Sequence, residues 1–518
     1  MRRRAAEAIV VTERGPVRGT VGDGLRITRG IPYAAPPFGA ARFRAPRPPE
    51  AWGDVRDCTR YGPVAPQSAE LPGSPVWNPA DEDVLTLNVW APTARSGPLP
   101  VLFWIHGGAY TFGSSAQPDH DGAALARAGT VVVTCNYRLG FEGFGHVPGF
   151  PDNRGLLDQI AALAWVRDNI AAFGGDPDNV TVAGQSAGGG SVASLLSSAR
   201  ADGLFRRAIA HSVPDAFFRP EFARRMAGEV AEAAGVAPTA QGLLSASPRE
   251  LVDASDRVVA RYAGDPSSGF LHYDTVLYGP VLDGALLDRD PLDATGTGHP
   301  VDLLVCHTTE EYWLMHRVGA MPPVTTDDGL VRFAAAYGLP PDLVTAYRDL
   351  MPGAPVLDVF LALASDAVFT APTVRLARAH ARAGTGRTYL SRFDRRRTRP
   401  DGEPVRAWHA ADVPFAFGTL DAAEVAFLTG GPADADDRAL SRRMVDAWAA
   451  FAATGDPGWA PVTDPADPTV HVWGVPRDRT EGPSPAHALW RDIRMAPPSL
   501  RCGARDNGRA ETTDPTQR

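Results

Sequence analysis

The chain has 518 residues, of which 44% are hydrophobic and 21% charged, and its formal net charge is −9. This is ordinary globular composition, and a chain of this length can bury a large core without disulfide bonds. The acidic balance, with no dominant basic stripe in the sequence, argues against nucleic acid as a partner.

Neither a membrane span nor a metal centre is expected. No stretch approaches the roughly 20 apolar residues of a membrane helix, and the apolar run at residues 8–11 is shorter than the roughly 7–15 residues of a secretory core. We therefore predict a cytoplasmic protein without a membrane partner. The cysteines Cys58, Cys135, Cys306 and Cys502 have no zinc-ligand or C-x-x-C spacing, so no metal and no cofactor is predicted. The sequence sets no expectation for the oligomeric state.

The first half of the chain predicts alternating strands and helices. Residues 99–105 and 130–136 are continuous apolar runs, which are typical of strands buried on both faces of a mostly parallel sheet. Residues 153–175 have helical periodicity and end in a pair of glycines. Residues 180–183 then form a short strand that leads into the turn GQSAGG and a helix of small residues. This order predicts an α/β fold with βαβ units.

The second half of the chain is more helical. Residues 215–300 and 318–384 are predicted to be helical excursions that cover the carboxyl edge of the sheet, where sites in α/β folds lie. Two further strands are expected, at residues 302–306 and 388–393. Residues 498–518 are polar and without periodicity, which predicts a disordered tail.

Residues 184–188, GQSAG, are the only G-x-S-x-G motif in the chain. Because the motif follows a strand and opens a helix, its context is that of a nucleophile elbow with Ser186 at the tip. Small neighbours let other backbone segments pass close to the turn, and the helix amides face a developing negative charge. The alternative is an ordinary strand-to-helix turn in which Ser186 is the N-cap.

Residues 153–193, which surround this motif, resemble the type-B carboxylesterase family, the lineage of α/β hydrolases that includes the cholinesterases and bacterial para-nitrobenzyl esterases. The resemblance continues, in the family's order, at residues 29–52, 82–90, 103–113, 136–144, 204–212 and 442–457. It implies an α/β-hydrolase fold, with a mostly parallel central sheet flanked by helices, in a single domain over residues 1–497.

The resemblance also implies a catalytic triad in the chain order serine, glutamate, histidine. On this sequence the three positions are Ser186, Glu311 and His409. The family usually has a glycine after the acid, whereas Tyr312 follows Glu311 here, so Glu310 stays open as an alternative acid. The histidine would take the proton of the serine hydroxyl, and the glutamate would orient the imidazole.

The resemblance implies an oxyanion hole made of backbone N–H groups. The donors would be Gly108 and Ala109, in the segment HGGAY, and Ala187, directly after the proposed nucleophile. Small side chains at these positions would let the backbone approach the tetrahedral oxyanion closely. Donors of this kind are worth about 10²–10³ in rate in comparable enzymes.

Four other positions are of interest through the resemblance. Gln185 replaces a common glutamate, which removes a negative charge from beside the site, and Asp412 replaces a glutamate three residues after the histidine. Ser212 is expected to support the acid. Trp77 resembles the tryptophan that binds quaternary ammonium groups in cholinesterases, but without a nearby carboxylate a gorge-lining or packing role is favoured.

The predicted function is the hydrolysis of small to medium, uncharged carboxylic esters through an acyl-enzyme intermediate, with a small-molecule ester as the only partner. Two alternatives stay open. The same groups could hydrolyse another acyl bond, such as a carbamate, lactone or amide. The chain could also be a catalytically silent cholinesterase-like scaffold, although such relatives typically lose the nucleophile or the histidine and this chain retains both.

Overall fold

The computed structural model describes residues 6–69, 75–293, 299–399, 402–493 and 495. The strands of this part of the chain, numbered in chain order, are β1 Ala6–Val11, β2 Pro16–Gly22, β3 Leu25–Pro32, β4 Arg56–Asp57, β5 Thr86–Pro92, β6 Leu99–Ile105, β7 Val131–Cys135, β8 Gly175–Gln185, β9 Arg207–His211, β10 Asp302–Thr308, β11 Thr388–Phe393, β12 Arg397–Thr398, β13 Pro404–Val405, β14 Val470–Trp473 and β15 Arg479–Glu481. Thirteen of them form one sheet in the order β1-β2-β3-β5-β7-β6-β8-β9-β10-β11-β14-β15, with β4 beside β2, and β12 pairs with β13.

The centre of the large sheet is parallel and both of its ends are antiparallel. The seven strands from β7 to β14 in the sheet order pair in parallel, whereas β1, β2, β3 and β5 pair antiparallel on one side and β15 does so on the other. Every residue of β7, β9 and β11 is buried. Parallel strands bring their carboxyl ends to one edge, so the segments that follow β6, β8, β9 and β10 meet there.

Helices cover both faces of the sheet. They are α1 Ala123–Arg127, α2 Gly140–Phe144, α3 Arg154–Phe173, α4 Ala187–Ser197, α5 Pro220–Ala234, α6 Ala240–Ser245, α7 Pro248–Gly264, α8 Phe270–Tyr273, α9 Trp313–Arg317, α10 Asp327–Ala336, α11 Pro341–Leu350, α12 Val356–Ser365, α13 Ala371–Ala383, α14 Val413–Phe417, α15 Ala426–Thr429, α16 Ala435–Thr454 and α17 Pro485–Leu489. Local sequence sets several ends: Ser247 and Glu250 form a capping box before α7, and Gly174 ends α3 with a φ of 95°.

Two hydrophobic clusters lie on opposite sides of the sheet, as the alternation along β6 shows. Val101, Phe103 and Ile105 belong to the cluster that includes residues of α3 and α4. Leu102 and Trp104, which point the other way, belong to the cluster that includes residues of α14 and α16. Burial on both faces explains why this strand is apolar at every position.

The predicted strands are found, and three of them have different bounds: the strand predicted at residues 130–136 is Val131–Cys135, and two others are longer than predicted. The strands at residues 99–105 and 388–393 have the predicted bounds, and the one predicted at 302–306 runs to Thr308. Strand β8 begins at Gly175 rather than at residue 180. Its first part, GDPDN, has the composition of a turn, and its pairing with β6 shifts register there, so the pattern gave no strand signal.

The helical excursions are found only in part as predicted. Helices α5 to α8 lie within residues 215–300, and α10 to α13 lie within residues 318–384. After α8, however, the described residues 274–293 contain no helix, and the chain turns around Asp283, whose Oδ1 accepts three backbone N–H bonds. The single domain at 1–497 stays a prediction, and the tail predicted at 498–518 lies outside the described residues.

One continuous helix is long and apolar enough to cross a membrane by length and composition. It spans Val356–Ala383, where a π-helical turn, Asp366–Thr370, joins α12 to α13. In this helix 67% of the apolar window is buried inside the fold, which is how a core helix is packed. The expectation that no stretch reaches this length overlooked the helix because Pro372 and several polar residues interrupt the apolar run.

Candidate active site

Ser186 stands on the sharp turn between β8 and α4, at the carboxyl edge of the sheet. Its backbone has φ 58° and ψ −123°, which is strained for a residue that carries a side chain. A Cβ on Gly184 would lie 2.4 Å from the carbonyl oxygen of Gly188, and one on Gly188 would lie 2.1 Å from that of Ile105. Although Ser186 has the N-cap position of α4, its hydroxyl makes no capping hydrogen bond. The half-buried side chain is therefore left for another use.

The loop after β6 faces this turn. Gly108 and Ala109 have φ angles of 109° and 50°, so the backbone is tightly curled. A Cβ on Gly107 would lie 3.1 Å from the Cβ of Ser186, which places the loop in van der Waals contact with the turn. Within the described residues, no hydrogen bond joins the backbone N–H of Gly108, Ala109 or Ala187 to a protein acceptor. These N–H groups are available for a ligand.

Buried side chains hold this loop in place. Gln67 accepts a hydrogen bond from the N–H of Gly113 at 2.9 Å and donates to its carbonyl at 3.2 Å. The Tyr137 hydroxyl donates to the carbonyl of His106 at 2.9 Å, and the two rings stack with their centroids 4.5 Å apart. Burial lowers the pKa of His106 to about 3, so its ring is neutral, and Nδ1 lies 2.8 Å from the Gly107 carbonyl.

His409 and Glu311 are in direct contact. Nδ1 of His409 lies 2.6 Å from Oε2 of Glu311, and both side chains are almost completely buried. The other carboxylate oxygen, Oε1, accepts 2.7 Å hydrogen bonds from the Ser212 hydroxyl and from the backbone N–H of Thr308. These contacts to both carboxylate oxygens fix the direction of the Glu311 side chain towards the imidazole.

Glu310 points to a different part of the protein. Its Oε1 accepts from the Arg406 guanidinium at 2.7 Å, and its Oε2 accepts from the backbone N–H of Ala407 at 3.0 Å. The structure therefore brings Glu311, and not Glu310, to His409. Tyr312, in place of the glycine common in the family, makes its own contacts: its N–H donates to Ser365 Oγ at 2.8 Å.

The second ring nitrogen of His409 meets the residue before the serine. Nε2 of His409 lies 3.0 Å from Nε2 of Gln185, which therefore donates to the unprotonated nitrogen. The Phe369 ring lies over the imidazole at a centroid distance of 4.2 Å. Among the described residues, no hydrogen bond joins the Ser186 hydroxyl to His409. Both residues adjoin Gln185, Ser186 as its neighbour in the chain and His409 through the side-chain amide.

Trp77 and Asp412, the remaining two positions predicted from the family resemblance, lie in different surroundings, and within the described residues neither forms a hydrogen bond with His409 or Glu311. Trp77 is 6% exposed, stacks on Phe38 at 5.7 Å and donates through Nε1 to the carbonyl of Asp81. It is thus a packing residue in this structure. Asp412 is fully buried and contacts His211, with Oδ2 at 2.5 Å from Nδ1.

Sequence patterns gave no signal for several residues that shape the site. Gln67 and Thr308 act through backbone contacts that depend on the tertiary fold, and Phe369 comes from the π-helical turn nearly 60 residues beyond the acid. His211 is the last residue of β9, and only its position before Ser212 could have drawn attention to it.

The chain resembles known carboxylesterases over most of its length. A sequence model described as the carboxylesterase family matches residues 6–336 and 342–473. The chain is 38% identical over 468 residues to a para-nitrobenzyl esterase of Bacillus subtilis, covering 88% of this chain and 92% of that protein. It is 34% identical over 482 residues to a phenmedipham hydrolase of Pseudarthrobacter oxydans, covering 87% and 90%.

Solved structures agree. A thermophilic para-nitrobenzyl esterase superposes with a TM-score of 0.82 at 33% identity, over 94% of this chain and 100% of that one. A carboxylesterase of Geobacillus stearothermophilus superposes with a TM-score of 0.78 at 34% identity, over 93% and 99%. The predicted α/β-hydrolase fold is confirmed. The chain therefore belongs to the carboxylesterase family and is a serine hydrolase of carboxylic esters.

Proposed function

We propose that Ser186, His409 and Glu311 are the nucleophile, base and acid of this esterase. The observation that carries the proposal is the 2.6 Å contact between His409 and Glu311, made beside the turn that presents Ser186. A carboxylate on Nδ1 keeps the proton there, and Nε2 is left with the lone pair that a base requires.

The reaction proceeds in two acyl-transfer steps. His409 Nε2 takes the proton of the Ser186 hydroxyl while Oγ bonds to the ester carbonyl carbon. The tetrahedral intermediate collapses as the carbon–alkoxide bond breaks, and the imidazolium returns the proton to the leaving alcohol. Water then repeats the sequence on the acyl-enzyme, with His409 again as the base, and releases the carboxylic acid and free Ser186.

The backbone N–H groups of Gly108, Ala109 and Ala187 stabilise the oxyanion in both steps. Support comes from their position against Ser186, their freedom from protein acceptors and the buried scaffold that holds the loop. A loop fixed before the substrate arrives needs no reorganisation when charge develops, and this is where most of the rate gain of such sites comes from.

The proposed substrates are small to medium, uncharged carboxylic esters. Gln185 presents a neutral amide next to the imidazole, and Trp77 is packed in the core rather than open to a cationic ligand. The matched relatives include proteins named for a para-nitrobenzyl ester and for fumonisin B1. A p-nitrobenzyl ester is therefore a suitable first substrate, and phenmedipham is the first candidate for another acyl bond.

A phosphonate ester that carries a p-nitrophenyl leaving group tests the nucleophile. We expect one covalent adduct per chain on Ser186, no adduct and no turnover of p-nitrophenyl acetate in Ser186→Ala, and full activity in Ser194→Ala. Ser194 is a matched control because it is a buried serine in the same helix whose hydroxyl bonds to the Gly190 carbonyl. An unlabelled, inactive wild type would instead favour the silent scaffold.

A pair of isosteric esters tests the preference for uncharged substrates. Acetylcholine and 3,3-dimethylbutyl acetate differ mainly in the charge of the alcohol end. We expect the neutral ester to have a kcat/KM at least about tenfold higher, because no cation–π or carboxylate contact is provided for the ammonium group. Equal kcat/KM values for the two esters would contradict the preference for uncharged substrates that we infer from Gln185 and Trp77.

We also propose a cytoplasmic location. Within the described residues, Cys58, Cys135 and Cys306 are all free, buried thiols. Free thiols persist in a reducing compartment. The test is to fractionate the native host and to detect the enzyme in each fraction by phosphonate labelling. Recovery of the labelled enzyme outside the cytoplasm would contradict the proposal.

A further inference from the structure

A second buried histidine–carboxylate pair lies directly behind the proposed triad. Nδ1 of His211 and Oδ2 of Asp412 are 2.5 Å apart, and their side chains are 1% and 0% exposed. The Trp448 indole ring packs nearly perpendicular to the imidazole, with the ring centroids 4.8 Å apart at 86°. A buried pair of this kind costs desolvation, so it is weak evidence for stability and invites a functional explanation.

His211 is connected to two groups of the triad through its backbone. Its carbonyl oxygen accepts the N–H of Ser186 at 2.9 Å, so it helps to hold the strained turn. The next residue, Ser212, has a φ of 48° and donates its hydroxyl to Glu311 at 2.7 Å. A shift of His211 would therefore move both the nucleophile and the donor that orients the acid.

Asp412 is connected to the third group. It lies three residues after His409 in the same loop and is the N-cap of α14, where its carbonyl accepts the N–H of Ala416 at 3.0 Å. Between the two, Ala410 has a φ of 64°, so the loop is tightly bent. The His211–Asp412 contact is thus a side-chain bridge between the end of β9 and the loop that carries His409.

A metal ion is a poor explanation for this cluster. His211, Cys306 and Asp412 each offer a ligand atom, and these atoms lie within 4.8 Å of one another. Two ligands on one tetrahedral zinc, with bonds of about 2.0–2.1 Å, are separated by about 3.3 Å. The His211 and Asp412 atoms are 2.5 Å apart, which is within hydrogen-bond distance and too close for two ligands of one ion.

We propose that His211 and Asp412 form a positioning pair for the esterase reaction. Their hydrogen bond fixes the distance between the turn of Ser186 and the loop of His409, and it aligns Ser212 on the acid. Neither residue touches the reacting atoms. The inference rests on the proposed roles of Ser186 and His409. It adds that two residues outside the triad hold the triad residues in position.

The test compares variants that break the pair with variants that keep it. Asp412→Ala and His211→Ala remove one partner, whereas Asp412→Asn and His211→Gln retain an acceptor and a donor. The readouts are kcat and KM for p-nitrophenyl acetate and the second-order rate of phosphonate labelling, which reports on Ser186 without a full turnover. Asp437→Ala is the control, because Asp437 is an equally buried carboxylate paired with Arg395 that shares no hydrogen bond with the triad.

We expect kcat and the labelling rate of both alanine variants to fall about 10- to 100-fold with KM nearly unchanged, which is the effect of misplacing reacting groups. The double alanine variant should be no worse than the poorer single variant, and the Asn and Gln variants should keep most of the activity. Thermal melting identifies variants that fail to fold; Asp412→Leu, which is similar in size but makes no hydrogen bond with His211, then carries the test with the same expected loss.

Two results would overturn the inference. One is a folded Asp412→Ala protein that labels within about twofold of the wild-type rate, since positioning effects are far larger. The other is an equal loss in Asp437→Ala, which would indicate a general effect of core damage. Wild-type protein that does not label at Ser186 would instead refute the proposed nucleophile, so the two failures are distinguishable.

Discussion

The side-chain amide of Gln185 lies 3.0 Å from Nε2 of His409, the nitrogen on which a base would accept the proton of Ser186. Because Nδ1 is directed to Glu311, the imidazole receives this contact as an acceptor. In the proposed mechanism the serine hydroxyl therefore displaces the amide before its proton is taken. The neutral amide of Gln185 restrains the imidazole ring of His409 without placing a charge beside it. The effect of a charge at this position can be measured by substitution.

Replacing Gln185 with glutamate should move the acidic limb of the kcat/KM profile to higher pH by about one unit or more, because a carboxylate beside the ring favours the imidazolium. Activity at alkaline pH should be largely retained. Gln185→Met, which is similar in size but uncharged and unable to donate, should leave the limb where it is. Superimposable profiles for the glutamate variant and the wild type would show that the two side chains do not interact.

Separate substitutions of the two neighbouring glutamates should have unequal effects. Glu311→Gln should lower kcat about 10³–10⁴-fold, because an amide no longer fixes the tautomer of His409. Glu310→Gln should change kcat less than about threefold and lower the melting temperature slightly, since its half-exposed partner Arg406 contributes little. Steady-state kinetics with p-nitrophenyl acetate measures both, and a larger loss at position 310 would reverse the assignment of the acid.

Local hydrophobic pattern predicts the strands that are buried on both faces of the sheet, but not the antiparallel strands at its N-terminal side. The buried strands at 99–105 and 388–393 were predicted with their bounds because burial on both faces leaves an uninterrupted apolar run. The antiparallel strands near the N-terminus were not predicted. Their residues alternate between buried and half-buried, as in β2, and charged residues interrupt the hydrophobic signal.

The same division holds at the site. The turn of Ser186 could be predicted because its glycines are required by close backbone approaches that leave a motif in the sequence. The choice between Glu310 and Glu311 could not, since it depends on which carboxylate the tertiary fold turns towards His409. The His211–Asp412 pair joins segments 201 residues apart, and no periodicity connects them.

Ser186 should be replaceable by glycine at a gain in stability. Its φ of 58° and ψ of −123° lie in a region that glycine occupies at little cost, whereas a residue with a Cβ is strained by about 1–3 kcal/mol. Ser186→Gly should thus be more stable than Ser186→Ala by about 1 kcal/mol or more, and both should be inactive. Urea unfolding measures the difference, and an alanine variant as stable as the glycine variant would show that the turn stores no strain.

His106 should make the fold sensitive to acid. Burial lowers its pKa to about 3, whereas the unfolded chain binds the proton near pH 6.5. Between about pH 6.5 and about pH 3 only the unfolded state is protonated at this residue, so its contribution is complete above pH 6.5 and is lost over this range, by about 1.4 kcal/mol per pH unit. Burial also lowers the pKa of His487 to about 4. The contribution of His487 to the pH dependence is the same in the wild type and in a His106 variant.

The measurement is the free energy of unfolding in urea for the wild type and for His106→Asn, which keeps a donor for the Gly107 carbonyl but binds no proton. Between about pH 7.5 and about pH 5.5, the difference between the two proteins should shift by about 1.4 kcal/mol in favour of the variant. Because every other buried histidine is common to both proteins, their contributions cancel. Parallel losses of stability would mean that His106 takes up its proton in the folded state, and the assignment of a neutral His106 ring beneath the loop after β6 would then be wrong.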